Sequence, residues 1–172
     1  MKKLTVIFIA IFGMTFAFTS VNAQNTATEN TAAGATIVST ITLTEVQDLQ
    51  FGEIVKNAAG GTVVIQAASD PARDLDGLTN LPGDVHRAAQ FTVNGDDNFS
   101  FKIEKDATVT LTGPTGTGTD NLVITTSLSG SASGVTTTSG AYTFYIGGSM
   151  PVASDQIAGD YTGAFDVTVT YE

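Results

Sequence analysis

The chain has 172 residues with seven basic and seventeen acidic side chains, a net charge of −10, no cysteine and a single histidine. This acidity disfavours binding to nucleic acid or to an anionic membrane surface, because both carry negative charge. The absence of cysteine excludes disulfides and thiolate metal sites, and one histidine leaves few ligands for zinc or copper.

The N-terminus has the pattern of a cleavable secretory signal peptide. Two lysines precede an apolar run from Leu4 to Phe18, which is short for a membrane span. Val21 and Ala23 then provide the residue sizes that signal peptidase accepts, so we expect cleavage between Ala23 and Gln24. An uncleaved N-terminal anchor is the alternative. Cleavage would place the protein in the periplasm, on the cell surface, in a fimbrium or outside the cell.

The mature chain has the length of one domain. Residues 24–34 are small and polar without periodicity, which predicts a flexible leader. Residues 35–172 are then expected to form a single domain, with no further segment apolar enough to span a membrane. Without disulfides, its stability must come from a hydrophobic core.

Short segments of alternating apolar and polar residues, separated by turn formers, predict an all-β domain. The predicted strands cover residues 36–43, 49–55, 62–67, 89–93, 99–103, 107–111, 122–128, 142–146 and 161–171. Long loops are expected over residues 69–84, 113–119 and 129–140. Strands at this spacing predict a β-sandwich, with a β-barrel as the second possibility.

Glycines mark the expected turns. Asn94-Gly95 is typical of a tight hairpin, so we expect the strands on either side of it to pair with each other. Gly147-Gly148 is expected to turn the chain at the end of the strand over residues 142–146. Gly52 is expected at a β-bulge.

The last strand has the cleanest pattern in the chain. From Tyr161 to Tyr171 every odd position is aromatic, valine or glycine, and every even position is threonine, aspartate or alanine. This alternation predicts one half-buried strand. A strand at a chain end is suited to pairing within the domain or with another chain.

Five segments, taken in order, resemble a family of small secreted bacterial proteins of unknown function with pilin-like sandwiches. They are LQFGEI (49–54), GTV (61–63), AQFTVNG (89–95), GGSMPV (147–152) and QIAGDYTG (156–163). Gly159 and the penultimate Tyr171 also look like the C-terminal signature of fimbrial subunits assembled by the chaperone–usher route. An ordinary turn glycine and strand-end aromatic would give the same pattern.

The resemblance implies an immunoglobulin-like or pilin-like β-sandwich and a structural or adhesive role at the cell surface. Its partners would be further copies of the chain or a periplasmic chaperone. The residues that would carry assembly are Gly159, Tyr161, Phe165, Val167, Val169 and Tyr171 near the C-terminus, and Ile37, Ile41 and Leu43 near the N-terminus. The segment over residues 36–43 is either the domain's own first strand or a donor strand that fills a groove in a neighbour.

No arrangement of residues predicts an enzyme or a cofactor. His86 and the nearby Asp84 lack any motif that would place a nucleophilic serine beside them, and no Gly-x-Ser-x-Gly sequence occurs. We therefore interpret His86 as a surface loop residue.

Calcium is the one metal for which weak candidates exist. Asp70, Asp74, Asp76 and Asp84 share one predicted loop, and calcium takes several oxygen ligands. Their spacing does not match the EF-hand pattern, so a charged, solvated loop is the favoured interpretation.

The alternative function is a stand-alone secreted or periplasmic binding module for a carbohydrate or protein ligand. The chain has no tryptophan for a sugar site. Tyr145, expected on the opposite face of its strand from Phe144, is the aromatic residue to consider.

Overall fold

The computed structural model describes residues 26–172. The predicted signal peptide and its cleavage site at Ala23 and Gln24 lie outside the described residues. Residues 26–36 are exposed and have no regular secondary structure, and Ile37–Glu172 form a unit of their own. Within residues 26–172, no helix has the length and apolarity needed to cross a membrane.

The all-β prediction is confirmed, since the described residues form strands and no α-helix. The strands are β1 (Thr42–Gln47), β2 (Ile54–Val55), β3 (Gly61–Ile65), β4 (Arg73–Asp76), β5 (Thr79–Asn80), β6 (Ala89–Asn94), β7 (Ser100–Lys105), β8 (Thr108–Leu111), β9 (Leu122–Leu128), β10 (Val135–Thr136), β11 (Ala141–Val152) and β12 (Val167–Tyr171).

Strand β11 organises the larger, seven-stranded sheet. Ile146 pairs with β6 and β9 at once, and Gly148 pairs with β3 and β9 at once. Strands β6 and β3 therefore lie end to end along one edge of β11, and β9 lies along the other. Strand β1 extends the sheet beyond β6, β4 beyond β3, and β8 beyond β9; all pairs are antiparallel. A smaller sheet has the order β10-β7-β12, and β2 pairs with β5.

The predicted turn at Gly147-Gly148 was wrong, because β11 continues through both glycines. A Cβ atom on Gly147 would collide with the carbonyl oxygen of Ile65, and one on Gly148 would lie 3.1 Å from the carbonyl oxygen of Thr125. The glycines lie where β11 changes partner from β6 to β3. They allow neighbouring backbones to approach closely rather than turning the chain.

The predicted hairpin at Asn94-Gly95 was also wrong in its pairing. The chain does turn there, but β6 belongs to the larger sheet and β7 to the smaller one. Asp97 holds this turn by accepting hydrogen bonds from Thr137 Oγ1 and from the N–H of Gly140 (2.8 Å). An Asn-Gly sequence predicts a change of direction, and the packing of the two sheets decides which strands meet.

Two N-terminal strands are shorter than predicted. Strand β1 begins at Thr42, so the strand predicted over 36–43 was wrong for residues 36–41. Thr42 lies opposite Asn94, where β6 ends, and residues 26–41 pair with no described strand. Of the strand predicted over 49–55, only β2 forms.

Two of the predicted loops contain strands. Strands β4 and β5 lie within residues 69–84, and β10 lies within residues 129–140. Strand β4 has three charged residues and one apolar residue, Leu75. Charged side chains on an edge strand hinder pairing with other molecules, and they also remove the alternation by which a strand is predicted.

The core consists of two clusters of buried side chains. The first cluster comprises Phe51, Val63, Ile65, Leu78, Ala88, Val109, Leu122, Ile124, Met150 and Val152. The second cluster comprises Ala89, Phe91, Val93, Phe101, Ile103, Val135, Phe144 and Ile146. In the second cluster, residues of β6 and β11 pack against residues of β7 and β10, so the two sheets share a core. This arrangement is compatible with the predicted β-sandwich.

The Phe91 and Phe144 rings stack at the centre of the second cluster, with centroids 5.4 Å apart and planes at 16°. Because Phe144 is fully buried, we expect Phe144→Ala to lower the free energy of unfolding by about 3–5 kcal/mol. Urea denaturation measures this loss. The adjacent exposed Thr143→Ala serves as control and should stay within about 0.5 kcal/mol of the parent protein. Equal losses for both variants would contradict a core centred on Phe144.

Candidate assembly site

The C-terminal stretch pairs with two neighbouring strands in turn. Thr162 exchanges backbone hydrogen bonds of 2.8 and 3.2 Å with Thr112, just beyond β8, and β12 then pairs along β7. The continuous strand predicted over 161–171 was therefore wrong, because residues 163–166 lie outside any strand. The predicted alternation holds: the odd side chains are half-buried, apart from Gly163, and the even ones are exposed.

One edge of β12 has no partner strand among the described residues. Glu172 N–H donates to the Ser100 carbonyl (2.9 Å), and Asp106 N–H donates to the Asp166 carbonyl (3.2 Å). Hydrogen-bonded positions recur every second residue in an antiparallel pair, so the even residues of β12 bond to β7. The backbone groups of Val167, and of the other odd residues of β12, are therefore directed to the open edge.

Strand β1 is the second edge strand of this region, since β6 is its only partner among the described strands. It contacts β12 at the margin of the second cluster. Leu43 of β1 and Val169 of β12 both pack on that cluster while remaining partly exposed. The two edges thus flank a place where apolar side chains are incompletely covered.

A groove of about 1280 Å³ continues from this margin, between residues 45–56 on one wall and residues 156–167 on the other. Buried apolar side chains from both halves of the larger sheet form its floor, including Phe91, Val109, Ile124, Met150 and Val152, and Phe51 joins them from the first wall. The exposed surface of the groove is as polar as it is apolar. Small-molecule clefts usually enclose roughly 300–1,000 Å³. The size, the apolar floor and the open edge of β12 suit an extended peptide better than a compact ligand.

Hydrogen bonds fasten the two walls of the groove. Lys56 Nζ donates to the Gln156 carbonyl, which joins one wall to the other. Gln156 Nε2 donates to the Asp120 carbonyl (2.6 Å) and to Tyr161 Oη (2.7 Å), and Tyr161 Oη donates to the Ile157 carbonyl (2.7 Å). Tyr161 therefore anchors the C-terminal wall.

Residues 41–171 match the family described as Domain of unknown function (DUF4402). The chain belongs to this family. The matched region starts directly before β1 and ends with β12, so it contains both edge strands and both walls of the groove. No curated protein and no solved structure matches the chain.

Gly159 has a role inside the DUF4402 domain. Its φ is +150°, which L side chains rarely adopt, and a Cβ atom there would lie 2.7 Å from ring atoms of Pro114. Glycine is therefore required for the C-terminal wall to pack against the loop that contains Pro114. This local requirement accounts for one of the two residues that resemble a fimbrial signature.

Tyr171 anchors the end of β12. Its Oη accepts a hydrogen bond from the Asp96 N–H (2.7 Å), and its ring meets Phe99 edge to face at 6.0 Å. Val167 and Val169 on this strand, and Phe165 just before it, pack partly buried against the second cluster. Val167, Val169 and Tyr171 therefore cover the core with their side chains, and of these three only Val167 also lines the groove.

The N-terminal candidates are in two different environments. Ile41 and Leu43 pack partly buried on the second cluster. Ile37 is 94% exposed, and Val38 beside it is also exposed. The structure therefore does not present Ile37, Ile41 and Leu43 together as one free face.

The four aspartates considered for calcium are not brought together. Asp84 forms a buried ion pair with Arg73, with side-chain exposures of 3% and 5%, and accepts a hydrogen bond from the Glu53 N–H (3.0 Å). Asp74 and Asp76 lie on the exposed face of β4, and Asp70 is also exposed. Residues 26–172 contain no group of three or more His, Asp or Glu residues placed to hold a metal ion.

Sequence patterns do not mark Lys56 or Arg73, because a single cation in a polar segment has no periodicity. Arg73 also donates to the Phe51 carbonyl (3.0 Å), which ties β4 to the N-terminal wall of the groove. Tyr145 lies on the opposite face of β11 from Phe144, as predicted, and packs against the first cluster. His86 is half-buried and makes no side-chain hydrogen bond within the described part of the chain.

Loss of the hydroxyl in Tyr171→Phe should lower the free energy of unfolding by about 0.5–1.5 kcal/mol, because the Asp96 N–H loses its acceptor. Chemical denaturation of the mature protein measures the change. Tyr142→Phe is the matched control, since the Tyr142 hydroxyl makes no hydrogen bond within the described residues. A Tyr171→Phe variant as stable as the control would show that the Oη contact does not hold β12.

The Arg73 guanidinium, through its hydrogen bonds, lowers the pKa of Asp84 from 3.8 to about 2. A carboxyl whose pKa is lower in the folded state stabilises the protein above its unfolded-state pKa, and this contribution is lost as the pH falls through the folded-state value. We therefore expect Asp84 to contribute a loss of stability between about pH 4 and pH 2.

The pH dependence of the melting temperature tests this assignment. Asp84→Asn should lose this part of the acid dependence, and Asp74→Asn, on the exposed face of β4, should retain it. An unchanged acid profile in Asp84→Asn would exclude the Arg73–Asp84 pair as its source.

Proposed function

We propose that this protein is an exported, non-enzymatic structural or adhesive protein of the cell surface, similar to a fimbrial subunit with an immunoglobulin-like sandwich. Its working part is the groove between residues 45–56 and 156–167, which accepts an extended segment of another protein chain. The observation that carries the proposal is that the apolar floor of this groove reaches the open edge of β12 at Val167.

Strand addition explains why these features occur together. The inserted backbone bonds to an open strand edge, and its alternate side chains enter apolar pockets. The odd residues of β12 offer N–H and C=O groups with the required spacing, and the groove floor offers apolar contacts. The proposed export rests on the N-terminal sequence. The proposed lack of enzymatic activity rests on the composition of the whole chain, which has a single histidine and no cysteine.

The polar half of the groove surface favours an alternative, in which a stand-alone secreted or periplasmic module binds a free carbohydrate or protein ligand. Assembly state separates the two functions. A structural subunit forms multimers on the cell surface, and a binding module remains monomeric there.

A pair of matched double variants tests the proposed function in the producing bacterium. Val85 and Ile157 are exposed and line the groove, whereas Val123 and Val55 are exposed without lining it, although Val55 belongs to the wall segment 45–56. Burying such a side chain is worth up to about 1.5–3 kcal/mol. Val85→Ser with Ile157→Ser should therefore reduce heat-sensitive surface multimers at least about tenfold.

Val55→Ser with Val123→Ser should leave the multimers unchanged. Purified samples of both variants should melt at the temperature of the parent protein, which excludes misfolding as the cause. A parent protein that is monomeric on the cell surface, or equal multimer yields from both double variants, would contradict the proposed function.

A further inference from the structure

The rim of the groove carries carboxylates on both walls. Glu45 and Glu53 line it on the N-terminal wall, and Asp160 and Asp166 line it on the C-terminal wall. All four residues are exposed. None of them forms an ion pair with a basic residue within residues 26–172.

The basic residues within the described range 26–172 are all held by hydrogen bonds inside the domain. Each of its basic residues already donates a hydrogen bond inside the molecule: Lys56 to Gln156, Arg73 to Asp84, Arg87 to Asp48, Lys102 to Glu104 and Lys105 to Thr126. The only cation that lines the groove is Lys56, and it joins the two walls. This hydrogen bond leaves the charge of Lys56 in place, but four rim carboxylates face this one cation, so the groove keeps an excess of negative charge.

A second copy of this chain is poorly suited to neutralise that charge. Residues 26–41, the stretch before β1, contain one charged side chain, the acidic Glu29. Of the three N-terminal candidates, Ile41 and Leu43 are already packed in their own domain. Only Ile37 and Val38 remain as exposed apolar residues of this stretch.

We infer that the segment filling the groove belongs to a positively charged partner protein rather than to a second copy of this chain. The segment is extended, with an apolar residue at every second position and Lys or Arg near both ends. Opposite charges on the rim and the segment accelerate encounter and select against acidic chains. This inference rests on the proposed function, because it identifies what enters the same groove.

Three labelled peptides of equal length test the inference by fluorescence anisotropy with the mature protein. Two share an alternating Val-Thr centre and end in pairs of either Lys or Glu. The third has the sequence of residues 31–43. We expect the Lys peptide to bind at least about tenfold more tightly than the other two at low salt. The difference in affinity between the Lys peptide and the other two should shrink at about 1 M salt, where the screening length falls to about 3 Å.

A charge-neutral rim provides the matched variant. Substitution by Glu45→Gln, Glu53→Gln, Asp160→Asn and Asp166→Asn should remove most of the preference for the Lys peptide. These side chains accept no hydrogen bond from another residue within the described chain, so the melting temperature should be retained. The control, Asp74→Asn with Asp76→Asn, removes two carboxylates from the exposed face of β4 and should leave the preference intact.

The outcomes separate the inference from the proposed function. Equal affinity for the Lys and Glu peptides, or tightest binding of the peptide of residues 31–43, would overturn the basic partner and leave strand addition in place. Failure of all three peptides to bind would overturn strand addition itself. A preference for Lys that survives in the neutral-rim variant would also refute the inference.

Discussion

The change of partners along β11 is the constraint on which the rest of the structure depends. This strand of twelve residues pairs with β6, β3 and β9. Where its partner changes from β6 to β3, two glycines without side chains let the neighbouring backbones approach closely. Because β6 and β3 share one edge of β11, the larger sheet has two halves with a core cluster under each. The smaller sheet covers the second cluster, and the groove opens over the first.

This division explains why the walls of the groove come from irregular segments. Residues 48–53 and 156–166 are outside the strands, so isolated backbone bridges at Gln50 and Thr162, together with side-chain contacts, hold them in place. The Arg73–Asp84 pair supports one wall, and the contacts of Gln156 and Tyr161 support the other. A groove held open before its occupant arrives reduces the entropy that binding must overcome.

Much of the strand content follows from the sequence, and the pairing does not. The segments around Phe91, Phe101 and Phe144 alternate regularly, and each forms the expected strand. Strand β4 was missed because its charged edge position removes the apolar pattern. Gly147-Gly148 has the composition of a turn, and only the approach of the Ile65 backbone shows why glycine is needed there. The groove could not be predicted at all, because it depends on which edges remain unpaired.

The two walls of the groove also lie near opposite ends of the domain, with residues 45–56 close to its start and residues 156–167 close to its finish. Contacts so distant in sequence form late in folding, because the chain loses the entropy of closing a long loop before the contacts contribute any free energy. A chain that is still being synthesised, or one that has lost its last strand, has no second wall. The groove therefore exists only on a finished molecule, so a partner of the proposed kind would also distinguish complete chains from incomplete ones.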